Sequence, residues 1–256
     1  MHGGGMRAII GSADSQSAIE KLMQKDRVME AVVLDHIPLS LSAADAATAV
    51  RVRPGTAAYE DLEQLLQQAL AVARPKAVYT TALVTGKGDD FLELDDIPRE
   101  SRLMPRNLAR VHRAFPYVVT CGTEIDDFGR GLDDMVHVWW LDTIKELMLA
   151  QANNYLNRHL AEVVGLGQFS VMNPGSLPDW PLSEQPKLFA LIGDVEGLIG
   201  VQLTDSCLML PTKTLSGLAF QSDEDYQECR LCNRKACPGR RVPFDAGEFE
   251  RLMGAK

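Results

Sequence analysis

The sequence predicts an α+β fold, and three observations support this. An apolar content of 46% and a charged content of 24% are those of an ordinary globular protein, and 256 residues can bury a substantial core. Strand-like segments lie both before and after one long helical stretch. No internal repeat and no obvious linker interrupts the chain, so we expect one mixed domain.

The first third of the chain predicts mainly helices. Ser17-x-x-Glu20 is a capping box, which opens a short amphipathic helix. The apolar run 28–34 fits either a strand or the end of that helix. Ser42 is placed to cap a brief alanine-rich helix, and the apolar spacing over 57–73 predicts a longer one that Pro75 ends.

The rest of the chain alternates between strands and helices. The stretches 104–114 and 132–164 predict helices, the second either as one helix or as two with a break midway. This longer stretch carries a wide apolar stripe that is most simply core packing. From residue 165 onward, short apolar segments alternate with Pro and Gly around one short helix, 183–192. The predicted strands, in order, are 77–84, 91–94, 117–120, 169–172, 201–210 and 215–220.

The charge balance and hydropathy exclude two classes of partner. Lys and Arg total 26 against 35 acidic residues, and the net charge of −9 argues against nucleic-acid binding, which needs a dominant positive field. No run of 18 apolar residues exists, so no membrane span is expected. The first six residues lack the apolar core of a signal peptide. We therefore expect a cytoplasmic protein, whose thiols stay reduced.

Three of the five cysteines lie within nine residues, as Cys229-x-x-Cys232-x-x-x-x-Cys237-Pro238. Two thiolates spaced by two residues can converge on one metal, and Cys237 can supply a third sulfur. Cys207, which we expect in a strand, is the natural fourth ligand. The pattern predicts an iron–sulfur cluster. A four-thiolate zinc site and ordinary thiols are the alternatives.

Five basic residues crowd the same stretch. They could offset the charge of a cluster, dock an acidic partner, or form a solvated tail. The fifth cysteine, Cys121, stands apart and is expected to be a small buried apolar residue. The basic residues are Arg230, Arg234, Lys235, Arg240 and Arg241.

A second candidate site is the turn formed by Asn173, Pro174, Gly175 and Ser176. A tight turn with Gly175 at positive φ is expected there. Its functional interpretation is a backbone platform for a nucleotide-like ligand. The helix start after Asp179 could present its amide end to a carboxylate or phosphate.

An ordered set of motifs around this turn resembles the S-adenosylmethionine-binding reactivation domain of cobalamin-dependent methionine synthase. Pro174-Gly175 matches that family's turn, IGVQLTDS at 199–206 matches its next strand, and Pro211 and Ser216-Gly217 follow in order. Weaker likeness includes Thr120–Glu124, and the whole covers about residues 75–245.

The resemblance implies a curved single domain with a twisted, mostly antiparallel sheet and flanking helices. Residues 76–245 would form the core with its cysteine-rich end, and 1–75 a helical or αβ lobe of the same domain. The chain would stand alone and reactivate a corrinoid protein or methyltransferase, because 256 residues leave no room for the larger enzyme's other modules. Cobalamin would reach it only through that partner.

The same resemblance implies the cofactors. S-adenosylmethionine would lie on the 173–176 turn, with Tyr226 near the family's late tyrosine. Oxidised cobalt needs one low-potential electron, which a cluster, most simply a 4Fe–4S cluster, can supply and redox-silent zinc cannot.

Two positions depart from the family pattern. The family has an arginine where this chain has Val171 or Met172, and a tyrosine where it has Ser176. An arginine makes two charge-assisted hydrogen bonds to a carboxylate, whereas an apolar residue makes none. These departures favour the alternative function, a non-catalytic ligand-binding or scaffold subunit of a corrinoid methyl-transfer complex, with structural zinc or no metal.

Overall fold

The computed structural model describes residues 30–224, 226–237 and 239–254. Contacts divide the chain after Glu30, and residues 31–256 form one compact unit. The predicted helix that opens at Ser17 lies outside the described residues, as do residues 28 and 29 and Pro238. The predicted N-terminal lobe, 1–75, therefore stays a prediction.

Nine α-helices and one 3₁₀ turn occur in the described part of the chain. Side chains cap several of them, as Ser42 caps α1 together with Asp45 in a capping box. Asp134 likewise caps the long helix α5. The helices are α1 (Ala43–Val50), α2 (Ala57–Val72), α3 (Leu103–Asn107), α4 (Thr123–Arg130), α5 (Met135–Glu162), α6 (Gln185–Ile192), α7 (Val195–Ile199), α8 (Glu228–Leu231) and α9 (Ala246–Met253), with the 3₁₀ turn at Leu182–Glu184.

The strands form one large sheet and a small separate hairpin, and every pairing between them is antiparallel. The central strand β6 pairs with β10 on one edge and with β2 and β3 on the other. Outward from these lie β1, β4 and β5, and β7 pairs β10. The strands are β1 (Val32–Leu34), β2 (Lys76–Tyr79), β3 (Ala82–Lys87), β4 (Phe91–Leu94), β5 (Ile97–Glu100), β6 (Arg113–Thr120), β7 (Phe169–Met172), β8 (Gln202–Leu203), β9 (Met209–Leu210) and β10 (Thr214–Gln221).

Alternate residues of the central strands point to opposite faces, as strand geometry requires. Val118 and Leu218 face a core that includes Trp180 and the apolar residues of α6. Val119 and Ala219 face the second half of α5. The first half of α5 packs instead on α1 and α2, in a third apolar cluster that contains the fully buried Cys121. The α+β class and the mostly antiparallel sheet are thus confirmed.

Most predicted elements are present, and the differences have identifiable causes. The predicted strand 77–84 divides at Thr80 because Pro116 lies opposite it: Thr80 N–H donates to the Pro116 carbonyl at 3.1 Å, but proline has no N–H to return. The predicted helix 104–114 ends at Asn107, since residues 113 and 114 pair with β3.

One further element differs from expectation, and another is present as a single uninterrupted helix. The predicted strand 201–210 is the short hairpin of β8 and β9. The helix expected over 132–164 is one continuous α5. None of the described helices has both the length and the apolarity needed to span a bilayer.

Candidate functional site

The turn at Asn173–Ser176, called the ligand turn below, lies at the end of the edge strand β7. Gly175 has φ +82°, so its predicted positive φ is confirmed. Its N–H donates to the Trp180 carbonyl at 2.8 Å, and the Ser176 N–H donates to the Asn173 carbonyl at 3.1 Å. Gly175 and Ser176 are exposed.

The side chain of Asn173 fixes the start of this turn to the sheet. Its amide nitrogen lies 2.7 Å from the Ser216 carbonyl and 3.3 Å from the Tyr117 hydroxyl. Gly217 makes this possible, because a Cβ there would stand 2.6 Å from both the Asn173 amide nitrogen and the Tyr117 oxygen. Burial raises the pKa of Tyr117 to about 12, so this hydroxyl stays protonated.

A buried carboxyl group, Glu228, holds the turn from the other side. It is 4% exposed, and its Oε1 accepts a hydrogen bond from the Asn173 backbone N–H at 3.0 Å. The Ser176 side chain is close enough to lower the pKa of Glu228. Burial raises the pKa of Glu228 to about 7, although these two contacts and the charge of Arg241 act in the opposite direction.

Glu228 is also the first residue of the cysteine segment, which we define as residues 228–241. Cys229 lies in α8, Cys232 ends that helix, and Cys237 lies in the loop beyond. The Arg240 guanidinium donates to the carbonyls of Cys229 and Cys232 at 3.0 and 3.1 Å, so it organises the segment from within.

The Cys229 sulfur sits among hydrogen-bond donors. Partial burial alone would raise the pKa of this thiol. The backbone N–H and guanidinium of Arg241, and the N–H of Val242, outweigh that and lower its pKa. Cys121 is the opposite case, since burial raises its pKa to about 12, and its expected role as a small buried residue is confirmed.

The described residues contain no group of three or more His, Cys, Asp or Glu side chains in a metal-binding arrangement. Cys207 therefore does not meet any two of Cys229, Cys232 and Cys237 in such a group. The expected strand position of Cys207 is wrong: it occupies the turn between β8 and β9 with φ +62°. The four-cysteine metal centre stays a prediction.

Tyr226 lies just before the cysteine segment and packs against the core. Within the described residues its buried hydroxyl has no hydrogen-bond partner of good geometry, although the amide of Asn107 is close enough to act on its pKa. Burial and the neighbouring Glu228 raise the pKa of Tyr226. Its role in a ligand groove stays a prediction.

The structure assigns Asp179 a role that the sequence did not suggest. Its carboxylate accepts hydrogen bonds from the Ser101 hydroxyl and from the N–H groups of Arg102 and Leu103, at 3.0 and 3.1 Å for the latter two. It therefore caps the start of α3.

Glu228 and Tyr117 were also missed by sequence reasoning, because their partners are remote along the chain. The one signal available was an acidic residue directly before Cys229.

The fold and this site define a class: an α+β domain built on an open antiparallel sheet, with a hydrogen-bonded turn at its edge. No family model and no curated protein matches the chain. Among solved structures, it is similar to the MetH reactivation domain bound to AdoHcy, with a TM-score of 0.55 and 14% identity over 89% of this chain and 90% of that one. At that identity the likeness shows the fold.

Proposed function

We propose that this chain reactivates a corrinoid methyltransferase system, docking a corrinoid protein and binding S-adenosylmethionine at the ligand turn. One observation carries this: an exposed turn is fixed by the Asn173–Glu228 hydrogen bond within a fold similar to a domain solved with AdoHcy. Cobalamin would come only with the partner, a corrinoid protein or methyltransferase. The chain's own part is to bind and orient the methyl donor.

Arg241 would supply the positive charge that the ligand's carboxylate needs. The position expected to carry an arginine holds Val171 or Met172. Arg241 is exposed, and its charge acts on Tyr117, Glu228 and the Cys229 sulfur. Arg241 acts on the same Glu228 that holds the turn, and a guanidinium can form charge-assisted hydrogen bonds with a carboxylate.

An iron–sulfur cluster is the second part of the proposal. Cys229, Cys232, Cys237 and Cys207 would be its ligands, and a cluster would supply the single low-potential electron that oxidised cobalt needs. No three candidate ligands in the described chain stand in metal-binding geometry. The cysteine segment would therefore have to change its conformation in order to bind a cluster. The Arg241 and Val242 N–H groups lower the pKa of Cys229, which favours the thiolate form that binds a metal.

A non-catalytic ligand-binding or scaffold subunit, with structural zinc or no metal, is the second candidate function. Ser176 favours it: where the resembled family has a tyrosine, this chain has a short hydroxyl near Glu228, whose pKa it lowers. Such a protein would bind the ligand without promoting methyl transfer.

Two measurements on the full chain test these proposals. Calorimetric titration with S-adenosylmethionine and AdoHcy should show saturable binding at one site, and no heat with either ligand would end the proposal for the turn. Iron, sulfide and zinc contents of anaerobically purified protein decide the metal. Iron with sulfide in a coloured protein supports the cluster. A colourless protein with one zinc supports the scaffold function.

A further inference from the structure

The ligand turn and the cysteine segment share one anchor. Glu228 accepts the Asn173 N–H, and Cys229 follows it directly in α8. Any movement of the Asn173–Ser176 backbone therefore acts on the residue that begins the cysteine segment.

The far end of the cysteine segment returns to the same point. The charge of Arg241 lowers the pKa of both Glu228 and Cys229. Arg240 ties the carbonyls of Cys229 and Cys232 together. The far end of the segment is thus tied to Cys229, the residue that follows Glu228.

Little apolar burial holds the segment otherwise. Among the described residues from 229 to 241, only Leu231 is buried. A segment held by hydrogen bonds, with few buried apolar contacts, belongs to the least stable part of a fold. A core helix is held by buried apolar contacts. The order of the cysteine segment depends instead on its hydrogen bonds, among which the one at Glu228 fixes its first residue.

We propose that Glu228 is a positioning residue that couples the ligand turn to the cysteine segment. A ligand bound at the turn stabilises the segment, and a disordered segment weakens ligand binding by the same factor, since coupling between two sites is reciprocal. This regulation of the site rests on the proposed function for the identity of its ligand, AdoHcy or S-adenosylmethionine.

Hydrogen–deuterium exchange on the full chain tests the coupling without a ligand. Glu228→Ala should speed exchange of peptides covering 226–241 and the ligand turn by roughly tenfold, the size expected when one buried hydrogen bond is lost. Glu228→Gln keeps an oxygen that can accept the Asn173 N–H, so it should restore most of the protection. Glu63→Ala, an exposed acidic residue on α2, is the matched control and should change neither peptide.

Exchange in β6 peptides shows whether the fold survives each substitution. With β6 unchanged, equal exchange of 226–241 in wild type and Glu228→Ala would overturn the coupling. If Glu228→Ala also unfolds β6, Arg240→Ala replaces it, since it removes the hydrogen bonds to the carbonyls of Cys229 and Cys232. It should speed exchange of 226–241 and, through Glu228, of the ligand turn, and an unchanged turn beside a faster segment would overturn the coupling.

AdoHcy then separates this proposal from the proposed function. In wild type it should slow exchange at both the turn and 226–241, and in Glu228→Ala at the turn alone. Binding that protects the turn but leaves 226–241 unchanged in wild type overturns the coupling and leaves the proposed ligand standing. Absence of calorimetric heat rules out the proposed ligand. The exchange of wild type and Glu228→Ala, compared without ligand, then decides whether the coupling exists.

Discussion

The Glu228 carboxylate lies 3.0 Å from the backbone nitrogen of Asn173, and this hydrogen bond joins residues 55 positions apart. The turn and the cysteine-rich stretch are separate candidates in the sequence. In the folded chain they meet at one buried acidic group.

Gly217→Ala should disturb the ligand turn from beneath. The added Cβ would stand 2.6 Å from the Asn173 amide and the Tyr117 oxygen, so Asn173 must move. We expect a loss of about 1–3 kcal/mol in the free energy of unfolding, as for other overpacked sites, together with weaker AdoHcy binding. Urea denaturation and calorimetry measure the two effects. Gly131→Ala, which has only an ordinary contact at 3.5 Å, should change neither.

Gly175→Ala tests the turn's backbone itself. Gly175 and Gly165 have φ of +82° and +77°, so alanine at either position should cost about 1–2 kcal/mol of stability. Gly165 lies just beyond α5, away from the turn. Calorimetry should therefore show reduced AdoHcy affinity for Gly175→Ala and unchanged affinity for Gly165→Ala. Equal affinities would place the ligand elsewhere.

Arg241 should control the reactivity of Cys229 in metal-free protein. Iodoacetamide at neutral pH should modify Cys229 well before Cys121, because hydrogen bonds lower the pKa of the first thiol and burial raises that of the second. Arg241→Ala should slow the Cys229 reaction severalfold, as judged by peptide mass spectrometry over time. Val242 would still donate its N–H. An unchanged rate would mean that Arg241 does not act on this sulfur.

His159 should make stability depend on pH. Its Nε2 lies 2.9 Å from the Tyr79 hydroxyl, and burial lowers its pKa below the usual 6.5. The folded state therefore prefers the neutral ring, so this contribution is fully present above pH 6.5 and is lost as pH falls through the folded-state pKa.

Urea denaturation between about pH 5 and 7.5 measures this dependence. His159→Gln should flatten the slope because glutamine does not titrate. His112→Gln removes an exposed histidine and should leave the slope as it is. A slope unaffected by His159→Gln would assign the pH dependence to other groups.

Elements that depend on residues near each other in the sequence were predictable from apolar spacing and helix caps. The apolar spacing over 57–73 predicted α2 to within one residue, and the predicted cap at Ser42 begins α1, whose end was not predicted. The break opposite Pro116 was not predictable, since it requires knowing that Thr80 pairs there. For the same reason residues 113 and 114 looked helical until their pairing with β3 was known.

The candidate site was likewise predictable only where it depends on neighbouring residues. Gly175 at positive φ follows from turn chemistry alone, whereas the role of Glu228 depends on a partner from a remote strand end. The spacing of Cys229, Cys232 and Cys237 indicates metal binding. It does not determine the position of Cys207, which lies in a hairpin turn and has a left-handed backbone conformation.

A crystal structure of the protein grown with AdoHcy tests the central claim most directly. We predict ligand density against residues 173–176, with its carboxylate beside the Arg241 guanidinium and the Asn173–Glu228 hydrogen bond intact. Well-defined ligand density on another surface, with the turn and Arg241 untouched, would contradict the account.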